Sequence, residues 1–186
     1  MDELVKRAMD KWPNVPDCYG WLGLDARGRW FMRDDSAQHE GQFQSGIAKA
    51  KGAELKHEKL IEFIGRNYAA DDVGQWFFQN GPQRVFVELQ ATPWIWRLEN
   101  DYSVVSHTGK LAQLKEAYTD ENGLLYFDTS SGFGLVHSQD IYRAGEAIEE
   151  MQWRIIETNA NDLVKKFQYV LSPEALHIKR QKKASI

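Results

Sequence analysis

A chain of 186 residues, 42% apolar and 27% charged, with a net charge of −4, has an ordinary globular composition and is long enough for one sizeable core or two small ones. Its single cysteine, Cys18, excludes an internal disulfide, no run approaches the roughly 18 apolar residues of a membrane span, and the first residues lack the apolar stretch of a secretion signal, so a cytoplasmic setting is expected. Lys179, Arg180, Lys182 and Lys183 concentrate +4 near the end and leave −8 on the rest, which repels phosphate backbones, so no nucleic-acid partner is expected.

In chain order, Leu4, Val5 and Ala8 predict a short first helix, ended by Trp12-Pro13-Asn14-Val15-Pro16 because proline lacks a donor and restricts the residue before it. Tyr19 to Met32 reads as two strands around the break Asp25-Ala26-Arg27-Gly28. Arg33 to Ala53 is polar, with only Phe43 and Ile47 as sizeable apolar anchors, and is expected to be a long exposed loop. Leu60, Ile61, Phe63, Ile64 and Tyr68 then share one face of a helix over His57–Tyr68. Four strands follow, Gln75–Gln79, Gln83–Gln90, Trp94–Glu99 and Tyr102–His107, whose short connections predict an antiparallel meander. Lys110 to Tyr118 is expected to be a short helix presenting Leu111, Leu114 and Tyr118. Two more strands, Leu124–Asp128 and Phe133–His137, precede a helical region beyond Gly145, within which Gln152–Glu157 reads alternatively as a strand. A further helix begins at Asn159 or Asn161, and Ser172-Pro173-Glu174 signals a last short one before a frayed basic tail.

One device recurs. Asp25-Ala26-Arg27-Gly28, Asp71-Asp72-Val73-Gly74 and Asp120-Glu121-Asn122-Gly123 each place aspartate three residues before glycine and a large apolar pair shortly after it. Aspartate accepts hydrogen bonds from following amides, and glycine supplies the positive φ that closes such a turn, so each copy is expected to launch a strand. The second and third copies follow segments containing Tyr68 and Tyr118, which suggests related helix–turn–hairpin units with the first copy a shortened relative.

The order Asn14-Val15-Pro16-Asp17-Cys18-Tyr19-Gly20-Trp21, Gly28-Arg29-Trp30-Phe31, Trp76-Phe77-Phe78-Gln79-Asn80-Gly81-Pro82-Gln83-Arg84-Val85 and Thr92-Pro93-Trp94 resembles a family of small proteobacterial proteins known only as a domain of unknown function. The layout over about residues 12–142 is also similar to another uncharacterised bacterial family, built of repeated β-rich motifs with likeness to pleckstrin-homology modules. That second resemblance implies a signalling role and supplies no catalytic residue. The 33–53 segment and the helical C-terminus depart from its layout.

Chemistry-bearing residues are sparse. The five histidines lack the spacing of a zinc site, and one cysteine forms no thiolate cluster, so no metal and no cofactor is expected. His137, Ser138 and Asp140 contain the residue types of a hydrolytic triad, but neighbours on a strand end point in different directions. Ser130-Ser131-Gly132-Phe133-Gly134 lacks the lysine of a phosphate-binding loop and reads better as a hairpin turn. Cys18 reads as a structural thiol, and Trp94 and Trp96 as core. Gln79, Asn80, Gln83 and Arg84 flank a tight turn with three amides and a guanidinium, groups suited to a peptide backbone or a carboxylate.

The fold class expected is α+β, with mostly antiparallel sheets from repeated hairpin units and C-terminal helices. It is organised as one unit over 1–186, divisible into a β-rich 12–107 and a hairpin-plus-helix 108–186. The function expected is a non-enzymatic cytoplasmic binding or regulatory module, with Gln79, Asn80, Gln83 and Arg84 as its surface for a protein partner or small-molecule ligand. The alternative is a small-molecule-binding protein or enzyme with a site assembled from distant residues.

Overall fold

A computed structural model describes residues 1–151 and 153–184 and shows an α+β chain. It runs α1 (Glu3–Lys11), β1 (Cys18–Leu24), β2 (Trp30–Met32), α2 (Asp35–Glu40), β3 (Ala53–Glu54), α3 (Glu58–Arg66), β4 (Tyr68–Ala70), β5 (Trp76–Asn80) and β6 (Gln83–Leu89). It continues as β7 (Trp94–Leu98), β8 (Val104–Ser106), β9 (Leu111–Ala112), β10 (Leu114–Thr119), β11 (Leu125–Thr129), β12 (Gly132–Val136), α4 (Ile141–Glu150), β13 (Ile155–Glu157), α5 (Ala160–Phe167) and α6 (Pro173–Ala184).

The chain divides into two compact units, with a boundary at Gln90–Ala91. The first comprises Met1–Asp25, Arg29–Gln90 and the segment beginning at Val170; the second comprises Ala26–Gly28 and Ala91–Tyr169. The first unit holds a six-stranded sheet in the order β3-β2-β1-β6-β5-β4, and the second a seven-stranded sheet in the order β13-β10-β11-β12-β7-β8-β9. Both sheets join two three-stranded meanders by one parallel seam, β1 against β6 in the first and β7 against β12 in the second. The strand β13 adds a further parallel edge to β10. The remaining pairs are antiparallel. The expected single meander is therefore interrupted: the chain leaves the first sheet after β6 and enters the second at β7. Thr92 organises that entry, its Oγ1 donating to Trp94 O at 2.7 Å and accepting from Leu135 N at 2.8 Å.

The three aspartate turns form as expected. Gly28, Gly74 and Gly123 have φ of +75°, +81° and +73°. Asp71 Oδ1 accepts the Val73 and Gln75 amides at 3.0 and 2.8 Å, and Asp120 Oδ1 accepts those of Asn122 and Leu124 at 2.9 Å each. Asp25 Oδ1 accepts the Arg29 amide at 2.9 Å. Ser106 builds the same turn without a carboxylate: its Oγ accepts from Thr108 N and Lys110 N, and Gly109 takes the positive φ.

Several expectations are corrected. Residues 33–53 are not an exposed loop: they fold into α2 and two 3₁₀ turns with Ala37, Phe43 and Ala50 buried. Arg33 ties them down, donating to the main-chain oxygens of Ala50 at 2.8 Å, Gly20 at 3.0 Å and Gly41 at 2.6 Å. Lys110–Tyr118 forms β9 and β10 rather than a helix, because pairing to β8 and β11 satisfies its backbone, and Leu111 stays exposed at the sheet edge. Helix α4 starts at Ile141, ahead of Gly145, and Ile155 belongs to β13, the strand alternative; Gln152 of the expected 152–157 segment lies outside the described residues. The basic residues of the tail lie within α6 rather than in a frayed end, while Ser185 and Ile186 lie outside the described residues.

Helix α6 starts on a buried carboxylate. Glu88, fully buried on β6, accepts Glu174 N at 3.0 Å, and Ser172 Oγ accepts Ala175 N at 3.2 Å as the expected serine cap. Gln44 Nε2 donates to Leu171 O at 2.8 Å beside them. Burial pushes the Glu88 carboxyl above its ordinary range, against the lowering effect of its hydrogen bonds from Ser172, Glu174 and Gln44.

Two measurements check this description. Gly74→Val should lower stability by about 1–3 kcal/mol through forced positive φ, whereas Gly145→Ala, in open space on α4, should raise it by up to about 1 kcal/mol. Gly52 has φ of +79° and a Cβ there would lie 2.1 Å from Met32 O, so Gly52→Ala should also lower the denaturant midpoint. Folded Glu88 keeps its proton above the pH at which unfolded Glu88 loses it, so this group removes stability as pH rises through that window and has no such effect below it. Equilibrium unfolding across that range should show a shallower fall for Glu88→Gln than for the wild type.

Candidate functional site

The β5–β6 hairpin pairs Gln79 with Arg84 and Asn80 with Gln83. Strand alternation sends Gln79 and Arg84 to the face that carries Phe77 and Phe86, and Asn80 to the face of Phe78. Sequence neighbours are thus separated: Gln79 and Arg84 line an open groove of about 860 Å³, and Asn80 lines a different cleft of about 240 Å³. Gln83 braces the groove, its Nε2 donating to Pro16 O at 3.0 Å.

The opposite wall is Trp12, Pro13 and Pro16. Helix α1 stops where Trp12 N donates to Ala8 O at 3.0 Å, and the two prolines keep the following segment from returning to helix. In the sequence these prolines read only as helix terminators. The signal they carry is the Pro13-Asn14-Val15-Pro16 spacing beside Trp12, a pattern of extended backbone.

The groove has one strong unfilled acceptor. Gln79 is 1% exposed; its Nε2 donates to Gly81 O at 2.9 Å and holds the turn, while its buried Oε1 meets no donor among the described residues. A buried carbonyl left in that state costs about 1–3 kcal/mol. Arg84 lies over the Phe77 ring, 4.9 Å from its centroid, and forms no ion pair among the described residues. That stacking fixes the guanidinium plane and leaves its donors available. Asp10 and Asp17 also border the groove, so it presents both signs of charge.

An aromatic ladder supports this floor. Phe77 meets Phe86 edge-on with centroids 5.7 Å apart, Tyr19 stacks on Phe86 at 4.6 Å, and His177 of α6 stacks on Tyr19 at 4.1 Å. Burial, then the Asp17 charge, raises the Tyr19 phenol above its usual range, so the ring enters the ladder neutral.

The remaining candidates hold structural roles. Cys18 lines the apolar cleft with Ile64 and Phe78, and burial pushes its thiol up, which disfavours the nucleophilic thiolate. Asp140 binds Arg97, Arg143 and Leu98 N. Burial would raise its carboxyl, but the hydrogen bond and charge of Arg97 outweigh this and hold it below the usual range. His137 Nδ1 accepts Gln139 N at 3.1 Å and Ser138 is exposed, so the three residues build the capped 3₁₀ turn that leads into α4. At the β11–β12 turn, Ser131 N donates to Thr129 Oγ1 at 3.1 Å and Ser130 N to Gln113 O at 2.8 Å, which occupies amides a phosphate would need. Trp94 and Trp96 are buried, with rings 5.8 Å apart. Among the described residues no three His, Cys, Asp or Glu side chains group so as to hold a metal ion.

No curated protein matches the chain. It is similar to the crystal structure of a DUF1285 family protein from Shewanella baltica OS155, at 15% identity and a TM-score of 0.44, covering 68% of this chain and 91% of that one. It is also similar to that of a DUF1285 family protein from Silicibacter pomeroyi DSS-3, at 11% identity and a TM-score of 0.45, covering 78% of this chain and 84% of that one. A family model described as "Protein of unknown function (DUF2946)" matches residues 1–185, and the chain belongs to that family.

Proposed function

We propose that the chain is a non-enzymatic cytoplasmic binding or regulatory module whose groove takes an extended segment of a partner protein. The observation that carries this reading is the pairing of Gln79 Oε1, a buried acceptor without a donor, with Arg84, a stacked guanidinium without a counter-ion among the described residues, on adjacent strands of one floor. A peptide main chain offers the complement: an N–H for Gln79, and a carbonyl or carboxylate for Arg84. Reaching Gln79 Oε1 takes a side-chain rotation of the kind common at interfaces.

The shape favours a polypeptide over an enclosed small molecule. Trp12, Pro13, Asn14 and Pro16 are exposed along the lip, unlike the buried lining of most cofactor sites. A lone cysteine supports the cytoplasmic setting. The resemblance to the bacterial family of repeated β-rich motifs with pleckstrin-homology likeness supplies the expectation of signalling, and the shared connectivity of the two sheets supports reading the chain as a repeated unit. A second reading, a small-molecule-binding protein, is favoured by the apolar cleft of about 240 Å³ on the Asn80 face.

Site-specific photo-crosslinking in cells tests the first reading. A benzophenone side chain at Asn14, on the lip, should give one defined protein adduct, and the same probe at Lys59, exposed on α3, should not. Arg84→Ala should abolish the Asn14 adduct while melting within about 2 °C of the wild type, as expected for an exposed side chain. Adducts that form equally at both positions, or that persist in Arg84→Ala, would remove the groove as the binding surface.

A further inference from the structure

Helix α6 uses two faces differently. His177 stacks on Tyr19 of the sheet, with Gln181 Nε2 2.9 Å from its ring nitrogen. Ala175, Ile178, Lys179, Lys182 and Lys183 stand at i, i+3, i+4, i+7 and i+8, so they form one stripe along the helix. With Gln42 they line a cleft of about 410 Å³.

This cleft has two independent peculiarities. No carboxylate of the described residues lines it, and its three lysines form no ion pair among those residues. Like charges spaced three and four residues apart repel weakly, and an anion among them would relieve that repulsion. The wall between them is apolar: Ala175 and Ile178 provide it, Ile178 is 43% exposed, and lysine stems extend it while their ammonium groups reach the rim.

From these we propose that the α6 cleft binds an anionic amphiphile: a phosphate ester whose phosphate is held by Lys179, Lys182 and Lys183 and whose hydrocarbon lies on Ala175 and Ile178. Three ammonium groups on one helix stripe act as point charges and suit a multiply charged phosphate better than a single carboxylate. The +4 of this segment against the −8 of the rest of the chain favours the approach of an anion to this helix. Two sources share this chemistry, a soluble phosphorylated ester and a phospholipid headgroup. The site is separate from the peptide groove and does not depend on it.

Titration calorimetry of the full chain with hexyl phosphate, inorganic phosphate and hexanol tests the site. Hexyl phosphate should bind several-fold more tightly than inorganic phosphate, and hexanol should not bind. The exposed triple substitution K179Q/K182Q/K183Q should weaken hexyl phosphate by about tenfold or more, with an unchanged melting curve. Ile178→Ser should remove the preference for the hexyl chain while retaining inorganic phosphate. Raising NaCl from about 50 to about 300 mM should weaken the wild type and leave the triple variant unchanged. Sedimentation with vesicles of phosphatidylglycerol and phosphatidylcholine, against phosphatidylcholine alone, assigns the source: lysine-dependent pelleting with the anionic vesicles identifies a lipid headgroup, and hexyl phosphate binding without pelleting identifies a soluble ester. Equal hexyl phosphate affinity in the triple variant and the wild type, no effect of Ile178→Ser, or no binding in either assay up to about 10 mM ligand would overturn the proposal.

Discussion

A single carboxylate oxygen accepting main-chain amides from the residues after it, with glycine turning the backbone through positive φ, is the constraint on which both sheets depend. At Asp25, Asp71 and Asp120 one oxygen serves the backbone while the second takes a side chain from just before or within the strand being launched: Arg29, Gln75 and Tyr126. The turn therefore fixes where the strand begins and anchors it. Hydrogen bonds to a charged acceptor contribute about 1.5–3 kcal/mol each when sheltered. The chain also tolerates variants of the device. Ser106 replaces the carboxylate with a hydroxyl, and at Glu99–Ser103 the positive φ falls on Tyr102, at +63°, with Asp101 Oδ1 accepting Ser103 N at 3.0 Å.

Register follows from these turns, and the faces of the sheet follow from register. Asp71 starts β5 so that Phe77 and Gln79 share a face, and the β5–β6 turn then aligns Arg84 with Gln79. A one-residue slip would move Gln79 to the Asn80 side and dissolve the groove. The parallel β1–β6 seam carries the chain into the 12–17 segment just before β1, so the same pairing that closes the first sheet also supplies the groove's opposite wall. In the second unit the equivalent seam buries Ile95 and Trp96, and the Trp96 indole donates to Phe127 O at 3.2 Å.

Much of this was legible in the residues. The Asp-x-x-Gly spacing located three turns, the apolar period located α3, and Ser172-Pro173 located α6. What escaped the sequence depended on distant partners. Arg33 makes 33–53 fold through main-chain oxygens at Gly20, Gly41 and Ala50, which no local pattern encodes. Leu111, Leu114 and Tyr118 satisfy a helical period, but β8 and β11 offer them strand partners and long-range pairing overrides propensity. Thr92-Pro93 reads as a hairpin break, although its hydroxyl serves a strand some forty residues on. In the site, adjacency grouped Asn80 with Gln79, while the two-residue period of a strand divides them. The proline wall and the lysine cleft each need a second chain segment to become concave.

Amide hydrogen exchange in Asp71→Ala and Asp120→Ala, read residue by residue, tests the role of the carboxylate turns most directly. If the carboxylates hold the turns, Asp71→Ala strips protection from Val73 and Gln75 and leaves Asn122 and Leu124 unchanged, and Asp120→Ala does the reverse. Val73 and Gln75 amides that exchange as slowly in Asp71→Ala as in the wild type would show that the carboxylate does not set the hairpin, and the placement of Gln79 and Arg84 would lose its physical basis.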